Sequence, residues 1–360
     1  MPVKRDELIT CGFDIVKKID KRQFLEIEFV GDTGIGLGPT LEFYDNIADE
    51  FKTWSLKVEE VKMKDHLGNV TGSLDYKMWR NTQDNLLFPS PVCIREFSKE
   101  SQQKIFEVYR LCGTIVAKAM TDDRQIDLPI SPLFWKLCLG SQLSIFDYEK
   151  LDEKVFKQLA FLQVIANKVE ELDQQSPEAE AKKQQLDALN DQIQVYCPYF
   201  YLPMDYQHIQ LVQDGLAKEV TVENVQDYVD LVLHFTFHET VKVQIQAFKK
   251  GFNEIFPIQS LAPFTQSCSN EEEIENMVCG AQPDDKEFTD KEGLMKNIIP
   301  DHGYTKNSDQ YMYFIRYITE MDPAFRNQFI KFLTGSKRLP IGGFKSLDPK
   351  MTFVKQDLSS

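Results

Sequence analysis

The chain has 360 residues, 42% of them hydrophobic and 12% aromatic, with a formal net charge of −15. That is enough apolar material for one large core or two to three modest ones. The excess of negative charge repels nucleic-acid phosphates and anionic membrane surfaces, so neither is expected as a partner and a basic protein surface is favoured.

Residues 6–19 alternate at helical period, and residues 24–30 alternate at period two, which predicts a strand. The glycine-rich stretch 31–40 lacks the Gly-Lys-Ser/Thr ending of a phosphate-cradling loop. It reads as a tight strand-to-helix connection, with Thr40 near the helix N-cap. Residues 52–85 are polar and poorly periodic and predict a variable loop with short strands. Helical period returns over 105–120, where Cys112 falls on the apolar face with Tyr109, Ile115 and Val116 and reads as a small core residue. In 147–196 an apolar stripe runs through Leu151, Val155, Leu159, Leu162, Ile165, Val169 and Leu172. It resumes after Pro177 at Leu186, Leu189, Ile193 and Tyr196. This predicts two helices that pack on each other around a turn near Ser176-Pro177, with part of the first stripe open to a partner.

Residues 199–211 suggest short strands, and 221–224 carry polar capping residues ahead of one long helix from about 225 towards 252. His234 and His238 stand four apart, but no H-E-x-x-H frame surrounds them, so a structural role is expected and no metal site. Two helices are predicted within 311–333, separated near Asp322-Pro323. Gly335 stands where a left-handed cap is expected, and 352–354 reads as a strand. No apolar run of about 18 residues is present, so no transmembrane helix is expected, and residues 1–7 lack the apolar segment of a secretory leader. The seven cysteines (Cys11, Cys93, Cys112, Cys138, Cys197, Cys268 and Cys279) form no C-x-x-C pair. They read as free thiols of a reducing compartment, cytoplasmic, nuclear or both.

Several runs are specific as words. They are Gly36-Leu37-Gly38-Pro39-Thr40-Leu41-Glu42-Phe43-Tyr44, Leu86-Leu87-Phe88-Pro89, Arg124-Gln125-Ile126-Asp127-Leu128-Pro129 and Ala247-Phe248-Lys249-Lys250-Gly251-Phe252. Further on come Ile274 to Gly280, Gly303-Tyr304-Thr305, and Phe332-Leu333-Thr334-Gly335-Ser336-Lys337-Arg338-Leu339-Pro340-Ile341-Gly342-Gly343-Phe344. In this order they resemble the motifs of HECT-type ubiquitin ligases. The Gly-Pro-Thr form of the first resembles the branch of thyroid-receptor-interacting and ubiquitin-fusion-degradation ligases.

The resemblance covers nearly the whole chain. It implies a mainly helical α+β fold of two lobes: a complete amino-terminal lobe over 1–300, a hinge at 301–306 and part of the carboxy-terminal lobe over 307–360. A small subdomain at about 147–240 would dock the ubiquitin-conjugating enzyme (E2). The implied activity is two acyl transfers, from the E2 thioester to a ligase cysteine and then to a substrate lysine, marking proteins for proteasomal degradation. The implied partners are the E2, ubiquitin and protein substrates, with no cofactor and no metal.

The family cysteine lies in a Thr-Cys context after a Leu-Pro pair, beyond the glycine signature. None of the seven cysteines matches it, so no catalytic residue is assigned, and the family cysteine is expected beyond Ser360. For the docking groove the resemblance points to Val155, Gln158 and Leu159 on one helix and Tyr228 and Val232 on another, bordered by Tyr199 and Phe200. By spacing alone these are ordinary core residues. Two readings stand: a HECT ligase whose sequence here stops short of its nucleophile, or a HECT-like module that docks an E2 or ubiquitin without transferring anything.

Overall fold

The structure is a computed structural model that describes residues 1–32, 36–64, 70–175, 179–197, 199–203, 206, 208–266, 273–280, 285–334 and 338–355. A short strand β1 (Pro2–Val3) leads into α1 (Leu8–Lys18), β2 (Glu28–Phe29) and α2 (Leu37–Thr53). A long strand pair follows, β3 (Ser55–Lys64) with β4 (Val70–Lys77), then a short one, β5 (Trp79–Asn81) with β6 (Leu87–Pro89). Next come α3 (Lys99–Thr121), α4 (Pro132–Leu139), α5 (Asp147–Leu151), α6 (Glu153–Gln175) and α7 (Ala179–Tyr196). Helices α8 (Val225–His234) and α9 (Lys242–Asn253) flank a wide turn. The remainder comprises α10 (Ala262–Gln266), α11 (Glu273–Cys279), α12 (Asp285–Thr289), α13 (Lys291–Asn297), β7 (Ile298–Asp301), α14 (Asp309–Thr319), α15 (Pro323–Thr334) and β8 (Met351–Val354). Helices dominate, and the strands among the described residues form separate two-stranded sheets. The chain is a mainly helical α+β protein, as its periodicity and motifs imply.

Contacts divide the chain into two compact units, each assembled from separated stretches. The first holds Met1–Lys52, Thr114–Pro129 and Phe252–Ser360, the second Thr53–Gly113 and Ile130–Gly251.

In the first unit β1 runs parallel to β2. Only Glu28 and Phe29 of the strand predicted over 24–30 form a ladder. The segment ahead of them is held instead by a buried ion pair. Lys118 Nζ donates to Asp122 Oδ1 and to the Gln23 carbonyl, both at 2.6 Å, and Asp122 Oδ2 accepts from the Leu25 amide at 2.9 Å. Thr40 is not the cap of α2, which begins at Leu37. Its Oγ1 accepts from the Ile27 amide at 3.1 Å and ties the helix to the strand segment.

A core in the same unit gathers Phe288, Ile298, Tyr311, Ile315, Ile330 and Phe344. Strand β7 pairs in parallel with β8, from Ile298 opposite Met351 to Asp301 opposite Val354. The Tyr311 hydroxyl donates to the Ile298 carbonyl at 2.9 Å. This core draws on residues from both sides of 301–306, the stretch expected as a hinge between 1–300 and 307–360. His302 and Gly303 take positive φ of 47° and 97° and turn the chain between β7 and α14. The polar run makes a tight turn between these two elements.

The glycine signature is anchored nearby. Arg338 Nη1 donates to Glu275 Oε1 at 2.8 Å, with both side chains buried. Gly280 has φ of 81°, and a Cβ there would stand 2.5 Å from the Leu339 carbonyl oxygen, so a larger residue blocks this close approach. Gly335 and the cap expected at it lie outside the described residues, as do Ser176-Pro177 and Cys268.

In the second unit the stretch expected as a loop with short strands, 52–85, builds the long β3–β4 ladder, with Ser55 opposite Lys77 and Val58 opposite Leu74. Trp79 meets Tyr109 and Phe134 edge-on at 5.3 and 5.8 Å, and Phe134 and Trp135 meet Phe248 at 5.0 and 5.6 Å. Cys112 is buried in α3 as its helical position predicts. The strands suggested within 199–211 appear only as isolated bridges, Tyr199 to Glu219 and Tyr201 to Gln210.

Candidate functional site

Helices α5 to α8 all belong to the second unit. Asp152 starts α6: its Oδ1 accepts from the amides of Lys154 and Val155, each at 3.1 Å, and so satisfies donors that no helical carbonyl reaches. Val155, Leu159, Leu162 and Ala166 recur at three or four residues along α6, which packs on α8. On α8, Tyr228 and Val232 lie one turn apart. The Tyr228 ring meets Phe200 edge-on, with centroids 5.6 Å apart at 90°, and its hydroxyl donates to the Tyr201 carbonyl at 3.5 Å. Burial raises this phenol well above its ordinary value, so it stays a neutral donor.

Val155, Leu159, Tyr228 and Val232 are each exposed by 2% or less. These four positions, expected to line the docking groove, form the inner seam of the subdomain. A side chain with no accessible surface has none to lose to a partner. Phe200 is fully buried as well, with Lys218 Nζ 4.5 Å above its ring, and Tyr199 is half-buried.

Gln158 is the expected site residue that reaches outward. Its Nε2 donates to the Tyr196 carbonyl at 2.6 Å. Tyr196, 50% exposed, packs on Phe161 with ring centroids 4.8 Å apart, and Val195 beside it is exposed too. Phe161 follows Gln158 by three residues and shares its helix face. Two aromatic rings and an amide thus make a small patch on the subdomain surface. In the sequence Tyr196 closes an apolar stripe, and Phe161 stands outside the other. The available signal was phase: Phe161 falls out of step with Leu159 and Leu162.

The thiols give the second half of the chemistry. The six described cysteines are all free. Burial pushes Cys93, Cys197 and Cys279 up to about 12, and it raises Cys112 and Cys138 as well. The thiolate is the nucleophile in acyl transfer, so these five are poorly suited to it at neutral pH. Alkylation of the folded chain near neutral pH is expected to spare Cys112, Cys138, Cys197 and Cys279, which react after denaturation. Labelling of any of the four in the folded protein, read by peptide mass spectrometry, contradicts this. Among the described residues no group of three or more His, Cys, Asp or Glu side chains is arranged to hold a metal ion. No helix among them is long and apolar enough to cross a membrane.

Comparison with known proteins gives a consistent result. The profile of the HECT domain (ubiquitin-transferase) matches residues 68–359. The E3 ubiquitin-protein ligase UPL4 of Arabidopsis thaliana is 32% identical over 360 residues, covering 98% of this chain and 23% of its own length. The E3 ubiquitin-protein ligase TRIP12 of Danio rerio is 32% identical over 368 residues, covering 99% of this chain and 17% of its own. A probable ubiquitin fusion degradation protein of Schizosaccharomyces pombe is 32% identical over 340 residues, 92% of this chain and 18% of its own. The chain therefore spans between 17% and 23% of the length of these relatives.

Proposed function

We propose, because this chain belongs to the HECT-domain (ubiquitin-transferase) family, that it is the part of an E3 ubiquitin-protein ligase that receives a ubiquitin-conjugating enzyme. Its partners are then the E2, the ubiquitin that the E2 carries and the substrate protein. In the complete domain a ligase thiolate attacks the thioester carbonyl of the charged E2, and the E2 thiol departs. A substrate lysine amine then takes the acyl group and the ligase thiol is released. The first exchange swaps one thioester for another, and formation of the isopeptide bond drives the second.

The observation that carries the docking half is the patch of Gln158, Phe161 and Tyr196 on the subdomain surface. Rigid aromatic anchors with a polar edge are what a docking surface offers a partner, and the seam beneath holds them in place. Val155, Leu159, Tyr228 and Val232 serve docking from below, by fixing α6 against α8. A second reading, a module that docks an E2 without accepting ubiquitin, is favoured by one observation: the raised thiols of five cysteines.

Titration of this chain against a panel of E2 enzymes tests the docking. At least one E2 is expected to bind, and Phe161→Ala and Tyr196→Ala are expected to weaken that E2 without shifting the melting temperature by more than a few degrees. No binding across the panel, or binding unchanged in both variants, overturns the patch. Incubation with charged E2 is expected to leave no reducing-agent-sensitive ubiquitin adduct on the chain. Such an adduct, abolished by replacing one cysteine, sinks the second reading.

A further inference from the structure

The single long helix expected over 225–252 is interrupted, and the interruption falls between two histidines. The Thr240 amide donates to the Phe235 carbonyl at 3.1 Å, five residues back, and the Thr240 hydroxyl donates to the same oxygen at 2.7 Å. Residues Phe235–Glu239 therefore form a π-turn, with His234 at its start and His238 inside it. Such turns are rare and occur often at functional sites.

The wider turn brings position i+4 more nearly above position i than an α-helix does. The two imidazoles accordingly stack, with centroids 5.7 Å apart and planes at 27°. Both side chains are exposed. The ring contacts they make are with each other and, for His234, with the Phe235 ring, and among the described residues no hydrogen bond or ion pair engages either imidazole. Burial or a hydrogen-bonded partner would carry the structural role expected from the sequence, and among the described residues neither is seen.

We propose that His234 and His238 form a two-ligand site for a borderline divalent transition ion, zinc foremost. Neutral imidazole is a preferred ligand for such ions, and paired histidines four apart on one helical face are a proven arrangement for zinc. The separation fits. Two imidazoles on one tetrahedral zinc, with Zn–N of about 2.0–2.1 Å, place their centroids about 5 Å apart. Stacked planes do not aim two ring nitrogens at one point, so the ion binds only after the exposed rings turn about their side-chain torsions to bring both lone pairs onto it. No third described ligand stands in place, so water fills the other positions and the ion exchanges readily. The bound ion links the last turn of α8 to the π-turn, and so stiffens the end of the helix that carries Tyr228 and Val232. Buried thiols compete poorly because a thiol must lose its proton to bind. Cys93 is the one to control for, since it is only partly buried and lies within electrostatic range of Glu239.

Zinc chloride titrated into the chain, followed by the imidazole resonances in NMR and by calorimetry, tests this. One saturable site is expected, with the His234 and His238 ring signals shifting together. His234→Ala and His238→Ala should each abolish that site, whereas Cys93→Ser leaves it intact. Zinc should raise the melting temperature of the parent chain and of Cys93→Ser but not of either histidine variant. Ring signals that stay put at saturating zinc, or a site that survives either histidine variant, overturn the proposal. Loss of the site in Cys93→Ser alone assigns the ion to the thiol and overturns it equally. Both histidines are on the surface, so their variants are expected to fold, and an unchanged zinc-free melting temperature verifies that.

Discussion

Tyr228→Ala is expected to lower the unfolding free energy of the second unit by about 3–5 kcal/mol, the range for removing a buried aromatic ring and leaving its cavity. The ring is 1% exposed and sits edge-on against Phe200, itself fully buried, so the surrounding seam has little freedom to collapse into the space. Loss of E2 binding in this variant would follow from the disturbed α6–α8 seam. Tyr228→Phe keeps the ring and gives up only a hydrogen bond of 3.5 Å, and it is expected to cost about 1 kcal/mol or less. Urea unfolding of the three chains separates these outcomes. A Tyr228→Ala chain with the parent's urea midpoint and weakened E2 binding would restore the open groove and displace the Phe161–Tyr196 patch.

The other large effect is expected at Asp122. Its side chain is 5% exposed and that of Lys118 is 1% exposed, so neither charge is solvated by bulk water. Asp122→Ala leaves the ammonium group with the Gln23 carbonyl alone and removes the acceptor of the Leu25 amide. Breaking a buried pair from one side costs about 3–5 kcal/mol. Replacing both residues, Lys118→Met with Asp122→Leu, removes the uncompensated charge. It still strands the Leu25 amide, at about 1–3 kcal/mol, so the double variant should recover part of the loss and not all of it. Thermal unfolding of the parent, the single and the double variant checks the order. A single variant as stable as the parent would mean that water reaches this pair.

Much of the fold was legible where one period dominated. The 105–120 helix, the two helices within 147–196 and the pair split at Asp322-Pro323 appear as α3, α6 with α7, and α14 with α15. The misses have physical causes. In β3 and β4, Lys57, Glu59, Asp75 and Lys77 alternate with Leu56, Val58, Leu74 and Tyr76, so a half-solvated ladder looked like a polar loop. The break after α8 has no proline or glycine to announce it; a backbone carbonyl shared by the Thr240 amide and hydroxyl makes the π-turn. The polar run near 301–306 has a composition that a tight turn and a linker share, and the pairing of β7 with β8 beside it is long-range and leaves no local signal. At the candidate site, spacing placed Val155, Leu159, Tyr228 and Val232 correctly on one face of each helix. Spacing cannot say whether that face meets another helix or a partner, and here it meets another helix.

The interleaving of the two units bears on the order in which the chain takes shape as it leaves the ribosome. Residues Met1–Lys52 emerge ahead of most of their unit, which lies in Phe252–Ser360. About 200 residues must be made in between, a wait on the order of 10–40 s at typical rates of synthesis. The second unit, whose stretches run only from Thr53 to Gly251, can close during that wait. Within their own unit, Met1–Lys52 have only Thr114–Pro129 available during that wait, which supplies the Lys118–Asp122 pair that holds Gln23 and Leu25. Recombinant pieces inherit the same constraint. A fragment cut just before Thr53 discards an integral layer of the first unit, so well-behaved fragments are expected to keep residue 1 together with the segment beyond Phe252.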